Sequence, residues 1–225
     1  MTRARSARGL FAATGHKPKP VAKSLGKGQY AKVAARERDE DDFRPTPAEA
    51  PRAFLKAELP RLRQFAAIWE PAAGDGALVR EMEECGLTVF ASDLVDRGCG
   101  AEIRDFFQYM APPMPNMAIS TNPPFSCCNW RDGKGQWIWH ALKVLKVEYM
   151  ALLLPWTWPS PAQLGKLWAA HPPRRVYLMR FRLDFTGQGG PPVYHAWWVW
   201  DGAYQGYPEL RMLDRDDVRQ SDMDV

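Results

Sequence analysis

The sequence predicts an α/β fold in which a mostly parallel sheet is covered by helices on both faces. Short apolar runs alternate with amphipathic segments through the middle of the chain, as such a layered sheet requires. A Gly-rich turn joins an apolar strand to a helix, and two long β-type segments near the end flank a Gly/Pro cluster, so the sheet is expected to finish in an antiparallel hairpin.

With 225 residues, 46% hydrophobic and 25% charged, the chain can bury one substantial core. No run approaches the roughly 20 apolar residues that span a bilayer, and the basic N-terminus leads into no apolar segment. A cytoplasmic protein without membrane contact is therefore expected. Cys85, Cys99, Cys127 and Cys128 show neither CxxC spacing nor nearby paired histidines, so reduced thiols and no metal site are expected.

Charge is unevenly distributed. Ten Lys/Arg and one acid before Asp39 give +9, so with +4 overall the rest of the chain carries −5. A basic arm of this kind neutralises phosphates without reading sequence, which suits a nucleic-acid partner; a solvated leader with no ligand has the same composition. Residues 1–42 read as this disordered arm, 43–213 as one domain, and 214–225, with five aspartates, as a loose acidic tail.

Within the domain, Thr46-Pro47-Ala48-Glu49 has the form of a capping box opening a helix over 46–64, with Thr46 as N-cap and Pro47 at the first helical position. Pro51 and Pro60 each remove a donor from it. A short strand at 65–69 and a helix at 77–85 stopped by Gly86 follow. Strands are expected at 88–92 and 117–120, a helix at 137–146, and an apolar strand at 149–154. The hairpin strands are 176–185 and 194–200, around the cluster 186–192. No internal repeat is present.

Three motifs carry chemistry. Glu70-Pro71-Ala72-Ala73-Gly74-Asp75-Gly76 lies between strand and helix, where ligands of open α/β sheets bind and glycines admit a close backbone. No GxxxxGK[ST] accompanies it, so an NTP-phosphate cradle is not expected. Asp93 follows the next strand, 19 positions after Gly74, at the spacing of a carboxylate that accepts ribose hydroxyls. Thr121-Asn122-Pro123-Pro124-Phe125-Ser126 fixes a loop with two prolines, which delete two donors and leave carbonyls and the Asn122 amide oxygen to accept from a ligand amine. Two acceptors on the hydrogens of a conjugated amine localise its lone pair, and Phe125 offers a face for a flipped base. Taken singly, each motif also fits a structural turn, a loop acid or a rigid surface corner.

In this order and spacing EPAAGDG, Asp93, Arg104-Asp105-Phe106 and NPPF resemble the amino-methyltransferases with a Rossmann-like domain for S-adenosylmethionine (SAM), in particular the small DNA N6-adenine methyltransferases of phages and prophages. Residues 181–187 and 194–200 resemble their terminal hairpin, and the resemblance spans about 43–201. It implies a class I methyltransferase fold with a seven-stranded sheet. It further implies that Glu70, Ala72, Gly74 and Gly76 line the methionine half of SAM, Asp93 its ribose, and Asp105 with Phe106 its adenine. Asn122, Pro123, Pro124 and Phe125 would carry a direct transfer without metal or covalent intermediate; Phe43 and Thr46 match the segment that closes over the cofactor, with Thr46 among its contacts, and Arg44 stands where an aromatic residue is common in that segment.

DNA is the expected partner, since asparagine at 122 favours adenine N6 where serine would favour cytosine N4. RNA bases and protein glutamine present the same planar amine and stay open. So does a non-catalytic nucleic-acid-binding module on the same fold, although the intact set of motifs argues against it. His140 and His195 read as packed or surface residues, Trp69, Trp197 and Trp200 as core, and Trp130, in the loop with Arg131 and Lys134, as a substrate contact.

Overall fold

The computed structural model describes residues 45–130, 134–187 and 193–215. The basic arm, Phe43, Arg44, Arg131, most of the hairpin cluster and nearly all of the acidic tail lie outside these. Eight strands form one sheet: β1 (Ala67–Glu70), β2 (Val89–Asp93), β3 (Glu102–Ile103), β4 (Met117–Thr121), β5 (Tyr149–Pro155), β6 (Arg175–Met179), β7 (His195–Asp201) and β8 (Glu209–Leu213). Their order is 3-2-1-4-5-7-6-8. Strands β1 to β5 pair in parallel, whereas β7 runs antiparallel to both β5 and β6. The expected terminal hairpin is present, and the sheet has eight strands where seven are expected. The addition is β8, parallel to β6 at the sheet edge.

Alternation along the strands sorts the core into two layers. Ile68, Ala118 and Trp197 face α1 (Glu49–Leu62) and α2 (Ala77–Glu84), with Phe54 stacked on Trp197 at 4.4 Å. Trp69, Ile119 and Trp198 face the other layer, which includes α4 (Gln136–Trp139), continued by a π-helical turn over His140–Val144, and α5 (Gly165–Ala170). Between them in sequence, α3 (Phe125–Cys128) is a single turn. No helix of the described residues is long and apolar enough to cross a membrane.

Local rules explain most boundaries. Gly86, at φ 75°, ends α2 where expected. Pro51 sits in the first turn of α1, where amide donors lack helical partners anyway, and Pro60 falls in the last turn, so neither stops the helix. The capping box is a correction: α1 begins at Glu49 behind Ala48, no side chain caps it, and the Thr46 hydroxyl serves another partner. The run 176–185 pairs only as far as Met179; beyond it Phe181, Leu183 and Phe185 are buried as an irregular segment.

A buried ionic network locks α1 onto the amino-terminal edge of the parallel strands. Glu58 accepts from Arg175 Nε (2.6 Å) and Nη2 (2.9 Å), from the Tyr149 hydroxyl (2.8 Å) and from the Tyr177 hydroxyl. Arg175 also donates to Asp201 (2.9 Å), which accepts from Arg61 as well. Burial and the neighbouring Glu58 carboxylate hold the Tyr149 hydroxyl well above its usual range. Removing one partner leaves the others buried and unpaired, which costs about 3–5 kcal/mol. Glu58→Ala is therefore expected to destabilise the protein by about that amount in urea unfolding; a loss indistinguishable from that of a surface substitution would contradict the network's role.

Candidate active site

The sequence-selected residues gather at the carboxyl ends of β1, β2 and β4. Glu70 closes β1, is 1% exposed, and its Oε1 accepts from the Ala72 N–H (3.0 Å) and from the Thr121 hydroxyl. One carboxylate thus ties the glycine turn to the end of β4, immediately before Asn122. Its other oxygen, Oε2, is buried without a hydrogen-bond partner.

Beyond Glu70 the chain turns through Gly74 (φ 55°) and Gly76 (φ 79°) before α2 begins. A Cβ on Gly76 would lie 2.9 Å from the Cys99 Cβ, so both conformation and space require glycine there. The Gly74 N–H donates to Asp93 Oδ2 (2.8 Å), and the Val95 N–H to Asp93 Oδ1 (2.9 Å). Each oxygen of Asp93 holds one turn in place and retains lone-pair capacity for a further donor.

Two further cofactor candidates, Asp105 and Phe106, follow β3. Asp105 caps a short 3₁₀ turn by accepting from the Phe107 N–H (2.9 Å), and the Arg104 N–H binds the Asp93 carbonyl (2.8 Å), which keeps this loop beside β2. The Phe106 ring is buried, stacked on Trp137 at 3.9 Å and tilted against Trp69 at 5.5 Å. Its faces serve the core, so any adenine contact from Phe106 comes from its backbone or ring edge.

At the end of β4 the Asn122 side-chain amide is half-buried and its Nδ2 donates to the Thr46 hydroxyl (3.0 Å). Asn122 Oδ1 is buried with no hydrogen-bond partner. Thr46 is thereby brought 76 positions along the chain to the motif loop, in place of capping a helix. Pro123 is buried, while the Pro124 carbonyl is engaged by the Cys127 N–H (3.0 Å) at the start of α3. Phe125 stacks on His195 at 6.2 Å with 28° between the rings.

Three participants carried no signal that separated them from ordinary core. Thr121, the first residue of the quoted motif, positions Glu70; His195, 3% exposed, backs Phe125; Trp137 backs Phe106. His140 lies with Nε2 2.9 Å from the Tyr109 carbonyl and is packed edge-on against Phe106. Trp130 is half-buried against the core. A cavity of about 400 Å³ lies at the opposite edge of the sheet, lined by Arg61, Arg175, Asp201, Tyr204 and Arg211 among others. Its charges bind one another, so it offers no unmet chemistry.

No protein-family model matches the chain, and no curated protein matches it. Among solved structures it is similar to a candidate class I S-adenosylmethionine-dependent methyltransferase of Listeria monocytogenes, with 12% identity, a TM-score of 0.55, and 81% of this chain and 68% of that one covered. It is also similar to a human methyltransferase 10 domain containing protein, with 11% identity, a TM-score of 0.42, and 79% and 97% covered. The first likeness, with the strand order above, gives the fold: a Rossmann-like class I methyltransferase fold.

Burial pushes the Glu70 carboxyl up from 4.5 to about 8; the Thr121 and Ala72 hydrogen bonds oppose this, and the nearby Asp93 adds to it. The folded value lies above the unfolded one, so the stability from the protonated acid is fully present below about pH 4.5 and lost as pH rises through about 8. Glu70→Gln, which keeps the shape without the charge, is expected to remove this dependence. Its melting temperature should gain on that of the parent protein as pH rises from 4.5 to about 8, and a difference constant over that range would refute the assignment.

Proposed function

We propose that this chain is a SAM-dependent methyltransferase acting on an exocyclic amino group, with adenine N6 in DNA as the acceptor. The observation that carries the reading is the buried Asn122 Oδ1, unpartnered while the other end of the amide is bound to Thr46. A buried acceptor without a partner costs about 1–3 kcal/mol, which an arriving N–H donor returns. Asparagine at this position favours adenine N6, as do the resemblance of the motifs to phage-type DNA N6-adenine methyltransferases and the basic composition of the first residues. A cytoplasmic setting belongs to the same proposal.

The residues present fit the cofactor. Glu70 Oε2, buried and unpartnered, suits an ammonium group; Asp93 suits ribose hydroxyls; Asp105 suits an adenine amine. When bound, SAM supplies a methyl group on a sulfonium, which is already a good leaving group. The protein's own part is positioning. Asn122 accepts one hydrogen of the substrate amine and turns its lone pair out of conjugation with the ring, while Phe125, braced by His195, supports the ring face. Pro123 and Pro124 keep the loop from relaxing around an absent substrate.

Incubating the protein with labelled SAM and separate DNA, RNA and protein pools, then digesting labelled nucleic acid to nucleosides, tests the acceptor: label in N6-methyladenine from DNA supports the proposal, and label elsewhere or nowhere refutes it. Asn122→Ala is expected to bind SAM normally and lose about a hundredfold or more in kcat, the usual effect of removing one preorganised hydrogen bond. Undiminished turnover would remove Asn122 from the chemistry. Because Glu70 is held near 8 when empty, a cation at its carboxylate expels a proton at neutral pH. SAM binding heats should then vary with the ionisation heat of the buffer, and identical heats in all buffers would contradict the Glu70 assignment.

A further inference from the structure

The hairpin motifs hold more than the core requires. Trp156, just past β5, is 37% exposed, and Tyr194, just before β7, is 42% exposed. The Trp156 N–H donates to the Tyr194 carbonyl (2.8 Å), which fixes the two residues against each other at the carboxyl edge of the sheet. Trp156 is backed on one face by Trp198, at 5.8 Å and 21°, leaving its other face to solvent. The Arg182 guanidinium lies 5.5 Å from the centre of the Tyr194 ring.

This patch is continuous with the candidate site. His195, the residue after Tyr194, stacks on Phe125, and it is paired in register with Pro155, the residue before Trp156. Charge also separates Arg182 from its neighbours. Arg180 pairs with Asp214 and Arg215 with Glu49, whereas Arg182 is exposed and has no carboxylate partner among the described residues. Scattered exposed aromatics are ordinary. Two locked together beside an unpaired cation, one ring contact from the motif loop, form an arrangement with a chemical meaning.

The geometry points to a nucleotide-stacking platform, formed by Trp156 and Tyr194 with Arg182 at its rim, that holds the single-stranded nucleotides flanking the target amine. This rests on the proposed reading of the site as one that receives a nucleobase. Part-exposed flat rings accept any base, and a guanidinium beside them meets the phosphate or stacks in turn. A strand so held delivers the neighbouring base towards Phe125 without sequence-specific contacts.

The test uses the full chain and a short fluorescein-labelled deoxyadenosine oligomer, with binding read by anisotropy and no SAM present. Tyr194→Leu and Trp156→Leu are each expected to weaken binding roughly five- to a hundredfold, the effect of losing one base-aromatic stack, with Trp156→Phe restoring most of it. Arg182→Gln should lower the slope of log affinity against log salt by about 0.7, one phosphate contact on a single strand. Tyr207→Ala, an exposed aromatic outside the patch, should change nothing, and the melting temperature of Tyr194→Leu should match the parent, since its ring supports no core. An oligomer that binds all variants equally, or does not bind the parent protein, overturns the platform. Loss of binding to a protein substrate in these variants with oligomer binding intact overturns it in favour of a protein partner. Because binding is read without turnover, this failure is distinct from that of the methyl-transfer reading, which the labelled-pool assay and Asn122→Ala decide.

Discussion

A single buried carboxylate joins the two strand ends from which the candidate site is built. Glu70 receives the Ala72 N–H, which shapes the glycine turn, and the Thr121 hydroxyl, which ends β4. Sliding β1 along β4 would break the Thr121 bond, so the parallel register of Trp69 with Ile119 is fixed at the candidate site. Burial disfavours the charge, and the second oxygen has no hydrogen-bond partner among the described residues.

The opposite edge of the sheet shows what such groups look like when they serve only the fold. Glu58 and Asp201 are also buried, yet their oxygens meet Arg61, Arg175, Tyr149 and Tyr177. Saturation locks α1 to β5, β6 and β7 and leaves nothing to bind. At the carboxyl edge the same fold leaves Glu70 Oε2 and Asn122 Oδ1 without partners. Native interiors satisfy nearly all buried polar atoms, and on the proposed reading these two acceptors are the ones that SAM and the substrate amine would meet.

Most of this was legible in sequence because the relevant rules are local. Gly74 and Gly76 need left-handed backbone, the motif prolines restrict their own loop, and alternation assigns the strands. What was not legible depends on partners distant in the chain. Thr46 reads as a helix cap until Asn122 arrives to occupy its hydroxyl. The run 176–185 reads as one long strand, but it has a neighbouring strand to pair with only as far as Met179, and Phe181, Leu183 and Phe185 are apolar because they fill the core as a loop. Strand β8 was hidden for the opposite reason: Leu210 and Met212 are half exposed, so its apolar residues do not trace a buried face. Phe106 looked like a ligand contact by position, and only the fold reveals that Trp137 covers its ring.

The Thr46 bond bears directly on selectivity. An amide can present either end to a ligand, but here the donor end is engaged, so the carbonyl oxygen is the end left without a partner. An oxygen so fixed accepts and cannot donate. On the proposed reading, a ring bearing an amino group completes the pair, whereas one bearing a carbonyl at that position sets acceptor against acceptor and leaves both buried and unpaired. A site built around a buried hydrogen-bonding partner rejects an analogue lacking the complementary group by a factor of about 10⁴ or more. The discrimination between an amino-substituted base and its deaminated counterpart therefore lies in an orientation set by a residue 76 positions away, at the start of the domain.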